Sequence, residues 1–429
     1  MRLVPSKRAI TGGLRLELVV IAGGLIASAH ASMMIITPVI PRFMELIGGS
    51  FFALGLTFSI YAVGRFITNI PAGMLSDKVG RKWIITLGGL GVALFATLGG
   101  FAQDVPTFLA LRFLCGVASS MTIVMANVVA ADLSTVENRG RVLGLMHGLQ
   151  LVVGTGSPAL GGLIGEVFGT RAPFYVSGIF VLVFALWGIV RLPETRPQPG
   201  TEAAGVRVRH SNSPRGALFL LRDTSFLMVC VLGFSAFFLR GGMFTTLIPA
   251  FVNDILEMGP GAIGLLFTFS SLMHGILIYP AGTVADRYGR KIIIVPAGIV
   301  TGVAIAWVPF ADTLGPFLAA FFLLHIAQGW SGQAPVAYVA DLAPSGMRGM
   351  AIGLFRTFGD AAGMIGPVVS MSLLSIHSYH AAFGFNAVLW TVTVVVFAYV
   401  AVETAGKHRK RGPVAVPLEA QQEQAQAGA

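Results

Sequence analysis

The chain has 429 residues, of which 55% are hydrophobic and only 11% are charged. Soluble domains carry about 25% charged residues, so this composition excludes a soluble enzyme of this length. The two cysteines, Cys115 and Cys230, fall inside apolar runs. This placement excludes a disulfide scaffold, and the sequence has neither the CxxC nor the Cys/His spacing of a metal site.

Twelve apolar segments follow one another along the chain. A helix that spans a membrane needs about 20 mostly apolar residues. The predicted spans, named helices 1 to 12, are 18–41, 52–75, 83–102, 107–130, 142–166, 173–192, 225–250, 260–283, 292–311, 316–339, 350–374 and 381–402. The apolar run of helix 1 is too long for a signal peptide, so this helix is predicted to stay uncleaved. The predicted fold class is an all-α membrane protein.

Lysine and arginine set the predicted orientation. With the N-terminus inside, the inner segments hold 23 of the 29 basic residues, and the outer loops hold only Arg42 and Arg171. Both termini are therefore predicted to be cytoplasmic. The net charge of +10 is interpreted as a topology signal and not as a sign of nucleic-acid binding. The expected location is the cytoplasmic membrane of a bacterium, because the loops are short and no organelle signal is present.

The second half of the chain repeats the first. A shift of 209 residues aligns 71–82 with 280–291, and seven of those twelve positions are identical. The same shift aligns Asp132 with Asp341. Two such halves suggest a solute path between them. The predicted domains are an N-terminal six-helix bundle (1–192), a cytoplasmic linker (193–224), a C-terminal six-helix bundle (225–406) and a basic, then disordered, cytoplasmic tail (407–429).

The same loop motif stands between helices 2 and 3 and between helices 8 and 9. Its residues are Gly73, Asp77, Lys78, Gly80, Arg81 and Lys82 in the first copy, and Gly282, Asp286, Arg287, Gly289, Arg290 and Lys291 in the second. This motif resembles the loop signature of the major facilitator superfamily, whose transporters have two pseudo-symmetric six-helix bundles. Gly73 is predicted to let helix 2 approach a neighbouring helix closely.

The resemblance implies a latch at the cytoplasmic side. Asp77 would contact the positive N-terminal end of helix 11, and Arg81 would pair with Asp132 at the end of helix 4. The second copy would repeat this arrangement. Its residues are Asp286, Arg290 and Asp341. A static topology anchor is the alternative role for both copies.

Narrower motifs resemble the drug and metabolite:proton antiporter branch of the superfamily. Arg112 begins an Arg-x3-Gly motif typical of proton-linked members. Pro38 and Pro41 match the Pro-x2-Pro motif of exporters. The antiporter motif of helix 5 is matched at Gly144, Pro158, Gly161 and Gly162. A weaker copy of that motif lies in helix 11, at Gly353, Gly366 and Pro367. Close packing and kinking are the alternative roles of these residues. Many exporters of cationic drugs in this superfamily carry an acid in helix 1, whereas 18–41 has none and His30 is the nearest ionisable group.

Charged residues inside the predicted spans are expected to face a cavity or one another, because each costs about 2.5–3.5 kcal/mol at the bilayer centre. These residues are Arg65, Arg112, Arg240, Arg356 and Asp360. Asp360, the only deep acid, is the first candidate for a proton carrier, and a static ion pair is the alternative. In the fold that the sequence resembles, helices 2 and 11 are neighbours, which predicts a pair between Arg65 and Asp360 with Arg356 one turn away.

Two histidines occupy the positions that the repeat relates to Arg65 and Arg356. They are His274 and His147. Because helices 5 and 8 are neighbours in that fold, these imidazoles are predicted to face each other, and either could titrate near neutral pH. A hydrogen-bonded core role is the alternative for each.

Further polar residues in the spans predict a wet cavity, although a packing role is equally plausible for each. They are His30, Tyr61, Asn69, Asn127, Gln150, His325, Gln328 and Gln333. Tyr61, Arg65 and Asn69 form one stripe on helix 2 at spacing i, i+4, i+8. With four deep arginines against one aspartate, the cavity favours an anionic or neutral polar solute.

The expected function is alternating-access transport of a small organic solute, with proton-coupled efflux of a drug or metabolite as the leading interpretation. Uptake or exchange of an organic anion, by a symporter or facilitator, is the alternative, and a transport-dead receptor or scaffold is a remote one. An enzyme is not expected, since the sequence shows no phosphate loop and no nucleophile with a base. The expected partners are the solute, protons and the lipid bilayer, with no cofactor, no metal and a monomeric state.

Overall fold

The computed structural model describes residues 12–134, 139–195, 214–331, 334–344 and 347–404, and every element in these ranges is helical. In the first half the helices are α1 (Gly12–Ile36, a 3-10 turn at Thr37–Val39 and Ile40–Leu46), α2 (Phe51–Val79), α3 (Arg81–Gly99), α4 (Val105–Leu133), α5 (Arg139–Phe168) and α6 (Ala172–Arg191). In the second half they are α7 (Thr224–Leu239, a π-helical stretch Arg240–Leu247 and Ile248–Asp254), α8 (Pro260–Tyr288), α9 (Arg290–Trp307 with a 3-10 turn at Val308–Phe310), α10 (Leu314–Ser331 and Ala334–Leu342), α11 (Arg348–Ile376) and α12 (Tyr379–Val400).

All twelve helices are long and apolar enough to cross a membrane. Each overlaps the predicted span of the same number, so the prediction of an all-α protein with twelve spans is confirmed. The predicted linker 193–224 contains a further helix, Pro214–Arg222, which the sequence analysis did not anticipate. Part of the linker (196–213), the predicted tail (407–429) and Gln333 lie outside the described residues.

Local sequence signals fix where several helices begin. The Ser50 hydroxyl accepts a hydrogen bond from the Ala53 N–H at 3.3 Å and caps α2. Asp104 caps α4 by accepting from the Thr107 N–H at 2.9 Å. Asp223 caps α7 in the same way. Such caps satisfy N–H groups that have no partner within the helix.

The α-helical geometry of α1 and of α7 is interrupted inside their predicted spans. The 3-10 turn of α1 contains Pro38, which cannot donate a backbone hydrogen bond. The π-helical stretch of α7 begins at Arg240 and includes two glycines. The Thr245 hydroxyl donates to the Gly241 carbonyl at 2.6 Å, and that of Thr246 donates to the Gly242 carbonyl. Short π-helical stretches occur frequently at functional sites.

The helices form two compact units. Unit 1 comprises the described residues of Met1–Ala204, Gly241–Ser271 and Met364–Tyr379, and unit 2 those of Gly205–Arg240, Leu272–Gly363 and His380–Ala429. The described chain therefore passes from one unit to the other inside α7, α8 and α11 and after the first residue of α12. In α7 the passage falls at the start of the π-helical stretch.

Glycines let helices within each unit approach closely. In unit 1, a Cβ atom at Gly64 would lie 3.1 Å from the backbone nitrogen of Val117. In unit 2, a Cβ atom at Gly298 would lie 2.7 Å from a methyl group of Val394. Because lipid is as apolar as these side chains, close packing and not the hydrophobic effect holds membrane helices together.

Candidate functional site

The loop motif of unit 1 is built around a strained turn and an ion pair. Gly80 joins α2 to α3 with φ +109°, a conformation that favours glycine. Its N–H donates to the Ser76 carbonyl at 3.0 Å. The Arg81 guanidinium pairs with the Asp132 carboxylate on α4, as the resemblance implies, and both side chains are mostly buried. We call this end of unit 1, and the matching end of unit 2, the motif end.

A glutamate after α6 caps the first turn of α3. The Glu194 carboxylate accepts from the Arg81 N–H at 2.8 Å and from the Lys82 N–H at 3.3 Å. The Thr195 hydroxyl donates to the Asp132 carboxylate at 3.1 Å. A carboxylate at a helix N-terminus satisfies free N–H groups and lies at the positive end of the helix dipole. We call the pair Glu194 and Thr195 the Glu-Thr cap of unit 1.

Unit 2 repeats this arrangement. Arg290 pairs with Asp341 at 3.2 Å and also with Asp286, after a turn in which Gly289 has φ +127°. In the Glu-Thr cap of unit 2, Glu403 accepts from the Arg290 N–H at 2.8 Å and from the Lys291 N–H at 2.9 Å, and the Thr404 hydroxyl donates to Asp341 at 3.3 Å. The sequence analysis missed both caps. The signal was present, because the shift of 209 residues aligns Glu194-Thr195 with Glu403-Thr404.

Other motif residues occupy simpler surroundings. A Cβ atom at Gly73 would meet no atom of the described residues within 4 Å, and the predicted close approach of helix 2 at this glycine stays a prediction. Gly282 is equally open. The Arg287 guanidinium lies 5.5 Å from the centre of the Tyr288 ring. The side chains of Asp77 and Lys78 lie outside the described residues, and the contact of Asp77 with helix 11 stays a prediction.

The polar stripe of α2 lies against α4 in unit 1. The Tyr61 hydroxyl donates to the Ser119 hydroxyl at 2.8 Å, and the Asn69 side chain accepts from Ser120 at 2.6 Å. The Arg112 guanidinium lies 4.9 Å from the centre of the Tyr61 ring, and Arg112 is only 4% exposed. Within the described part of the chain, Nε and Nη2 of Arg112 and Nε of Arg65 have no hydrogen-bond partner.

The remaining cavity candidates divide between buried and exposed positions. His325 is 8% exposed and lies 2.8 Å from the Phe321 carbonyl, as a core histidine does. The Asn127 amide donates to the carbonyl of Ile123 in its own helix. Half-buried positions are His30, Gln150, His274, Gln328 and Asp360, and exposed ones are His147, Arg240 and Arg356. The predicted pairs Arg65–Asp360 and His147–His274 stay predictions.

The end of unit 1 opposite the motif, the far end, is closed by backbone packing. A Cβ atom at Gly161 would overlap the backbone of Ile35, and one at Gly162 would lie 3.1 Å from the Cα of Gly264. The Ala159 N–H, next to Pro158, donates to the Thr268 hydroxyl at 3.1 Å. The backbone packing at Gly161 and Gly162 is that of a helix-packing motif, whereas a Cβ atom at Gly144 or Gly353 would meet no atom of the described residues within 4 Å. The proline and glycine of helix 11, Pro367 and Gly366, contact two glycines of unit 1, Gly55 and Gly242.

A polar cluster closes the same end. The Asn253 amide accepts from Arg42 Nε at 3.2 Å and donates to Glu45 and to Asp254, both at 2.9 Å. The Tyr379 hydroxyl donates to the other Asp254 oxygen at 2.7 Å. This cluster could not be predicted from the sequence, because bonded members such as Arg42 and Asn253 are 211 residues apart and the members follow no periodicity.

Comparison with known proteins places the chain in a family. The sequence model of a protein family, described as Major Facilitator Superfamily, matches residues 23–259 and 229–423. The chain belongs to that superfamily. The chain is 22% identical over 369 residues to an uncharacterized MFS-type transporter of Methanocaldococcus jannaschii, covering 86% of this chain and 94% of the relative. It is 23% identical over 353 residues to Multidrug resistance protein 2 of Bacillus subtilis, covering 81% of this chain and 86% of the relative.

A solved structure shows the same fold. The chain is similar to a bacterial homolog of the human lysosomal transporter Spinster in its inward-facing, unoccupied conformation, with a TM-score of 0.71 and 14% identity over 91% of this chain and 96% of the other. With its twelve spans, the protein is therefore a multi-pass membrane transporter of small solutes and not an enzyme.

Proposed function

We propose that this transporter exports a small organic solute in exchange for protons. The observation that carries the proposal is Asp360, twelve residues from the start of α11 and so about 18 Å along the helix. The other described carboxylates lie in loops or within about two turns of a helix end. A carboxylate this deep is costly when ionised, and protonation removes that cost.

The direction of transport is supported by relatives. Multidrug resistance protein 2 of Bacillus subtilis is named for drug resistance, and export of the drug is the way in which a membrane transporter can confer it. The Pro-x2-Pro break of α1 and the glycine packing of α5 are the features that resemble exporters. In this proposal the motif ends face the cytoplasm and the far end faces outward.

The experiment uses purified protein in proteoliposomes that contain a pH-sensitive dye. We would impose a pH gradient and screen small anions, neutral metabolites and lipophilic cations for proton flux driven by solute. Asp360→Asn should abolish the flux, while the same change at the exposed loop residue, Asp312→Asn, should leave it intact. Normal gradient-driven transport by Asp360→Asn would reject the carrier role and leave Asp360 as a static charge.

The orientation of the protein in the membrane can be tested by labelling single introduced cysteines. Both native cysteines are buried, so an introduced cysteine dominates labelling by a membrane-impermeant thiol reagent. In intact cells, Asp312→Cys between α9 and α10 should react, and Arg222→Cys at the end of the linker helix should not. The opposite pattern would invert the proposed topology.

A second candidate function is transport of an organic anion by symport or exchange. It is favoured by Arg65 Nε and by Arg112 Nε and Nη2, which are buried and have no hydrogen-bond partner among the described residues. The same screen separates the candidates, because flux driven by anions and not by cations or neutral solutes selects the second one.

A further inference from the structure

Two arginines of unit 1, Arg65 and Arg112, have side chains that are at least partly buried. Arg65 lies in the middle of α2, and Arg112 lies two turns after the start of α4, with its guanidinium 4.9 Å from the centre of the Tyr61 ring. The described carboxylates of unit 1 lie in loops or within about two turns of a helix end. The three buried guanidinium nitrogens of these arginines have no hydrogen-bond partner in the described ranges.

The two arginines differ in access. Arg112 is 4% exposed and packs over the Tyr61 ring, so a solute cannot reach most of its guanidinium. Arg65, one helical turn after Tyr61, is partly exposed. A solute in contact with α2 would therefore meet Arg65 first, with Tyr61 and the positive charge of Arg112 behind it.

The Tyr61 side chain is fixed on both sides. Its hydroxyl is bonded to Ser119 and its ring face lies under Arg112, so it stays in one orientation beside Arg65. The next polar residue of the stripe, Asn69, is fixed by Ser120. Fixed polar side chains beside the partly exposed Arg65 are the arrangement expected of an anion-binding site. The planar guanidinium can donate two parallel hydrogen bonds to a carboxylate or sulfonate.

We propose that Arg65, positioned beside Tyr61 and supported by the buried charge of Arg112, binds the negatively charged group of an organic anion. This inference rests on the second candidate function, for which it names a carboxylate or sulfonate as the substrate class. Arg65 would touch the anion. Arg112 would act as a positioning residue through the Tyr61 ring and through its charge.

The test measures binding at equilibrium without any gradient, using the full chain in lipid nanodiscs. The probes are benzoate and benzenesulfonate, compared with benzyl alcohol and benzyltrimethylammonium, which keep the ring and change the charge. The readout is the shift in the temperature at which Cys115, one turn after Arg112 and 3% exposed, becomes reactive to a thiol dye. Both anions should raise this temperature, and the neutral and cationic probes should not.

Variants localise the effect. Arg65→Gln should weaken binding of the anions at least tenfold, Arg65→Lys should retain part of it, and Arg112→Met should weaken it less than Arg65→Gln does. Arg191→Gln removes an exposed arginine of unit 1 that pairs with Glu17 and should leave the affinity unchanged.

Several results would overturn the proposal. They are equal affinity for benzoate and benzyl alcohol, unchanged affinity in Arg65→Gln, and equal protection by chloride or inorganic phosphate alone, which would make the site one for inorganic ions. Asp360→Asn should still bind the anions. Anion binding without proton flux would therefore refute proton coupling and support the anion site. Proton flux without a preference for anions would support proton coupling and refute the anion site.

Discussion

Replacing the glutamate of either Glu-Thr cap should destabilise only the unit that contains it. Glu403→Gln keeps the shape of the side chain but removes its charge and turns an amide NH₂ group towards a backbone N–H. In the native protein this carboxylate accepts from Arg290 N–H at 2.8 Å, from Lys291 N–H at 2.9 Å and from Thr404 N–H at 3.0 Å. Glu194 accepts from the Arg81 N–H at 2.8 Å and, more weakly, from the Lys82 N–H at 3.3 Å.

The magnitudes follow from these contacts. A buried N–H left without a partner costs about 1–3 kcal/mol, and hydrogen bonds to charged groups contribute about 1.5–3 kcal/mol. Glu403 is 7% exposed, so little water replaces the lost bonds, and we expect a loss of about 2–4 kcal/mol. Glu194 is half-buried, and we expect about half that loss for Glu194→Gln.

The two native cysteines allow each unit to be followed separately. Cys115 lies in unit 1 and Cys230 in unit 2, and they are 3% and 0% exposed. In a Cys115→Ala background, a thiol dye reports the unfolding of unit 2, and in a Cys230→Ala background that of unit 1. Glu403→Gln should lower the midpoint temperature for Cys230 by more than Glu194→Gln lowers that for Cys115.

The matched control is Glu257→Gln, the same change at an exposed loop glutamate. If Glu403→Gln moved the midpoint of Cys230 no further than this control does, the cap would contribute no stability and the reasoning from its hydrogen bonds would be refuted.

Two further variants test the packing and the buried charge. Gly161→Val should lower the midpoint temperature of Cys115 labelling by an amount equivalent to about 1–3 kcal/mol, because the valine side chain would overlap the backbone of Ile35. The control is Gly156→Val, whose side chain would meet no described atom within 4 Å and should have little effect. Similar midpoint temperatures for the two variants would contradict the close packing. Arg112→Met should raise the midpoint temperature of Cys115 labelling by an amount equivalent to about 1–4 kcal/mol, because it removes a buried charge of which two nitrogens have no hydrogen-bond partner among the described residues. A lower midpoint temperature would show that the guanidinium stabilises the fold.

The helices could be predicted from sequence because their cause is local. A run of apolar residues decides that a segment spans the membrane, and caps such as Ser50 and Asp104 act on backbone three residues away. The Arg81–Asp132 pair was also predictable, although its members are distant in sequence, because a family resemblance supplied the contact.

The missed contacts have no local signal. Glu194 bonds to Arg81 across 113 residues, and a glutamate just after an apolar helix has no feature that marks its partner. Only the internal repeat could have revealed it, since Glu403 bonds to Arg290 across the same 113 residues. Gly73 differs again, because a glycine in a motif indicates a constraint but does not identify the contact that imposes it.

The sign of the pH dependence of solute binding separates the two candidate functions. If Asp360 takes up a proton in the same state of the protein that binds an anion at Arg65, each binding event strengthens the other by thermodynamic linkage. Benzenesulfonate, which stays ionised at every pH tested, should then bind more tightly as the pH falls from 8 to 5.5.

Proton and anion would bind together in that case, as symport requires. Exchange requires the reverse, so an exported neutral or cationic solute should bind more weakly at low pH because it competes with the proton. Asp360→Asn should remove the dependence in both cases, and Asp312→Asn should preserve it. A dependence that survived in Asp360→Asn would show that another group couples the proton, and Asp360 would lose its role in either function.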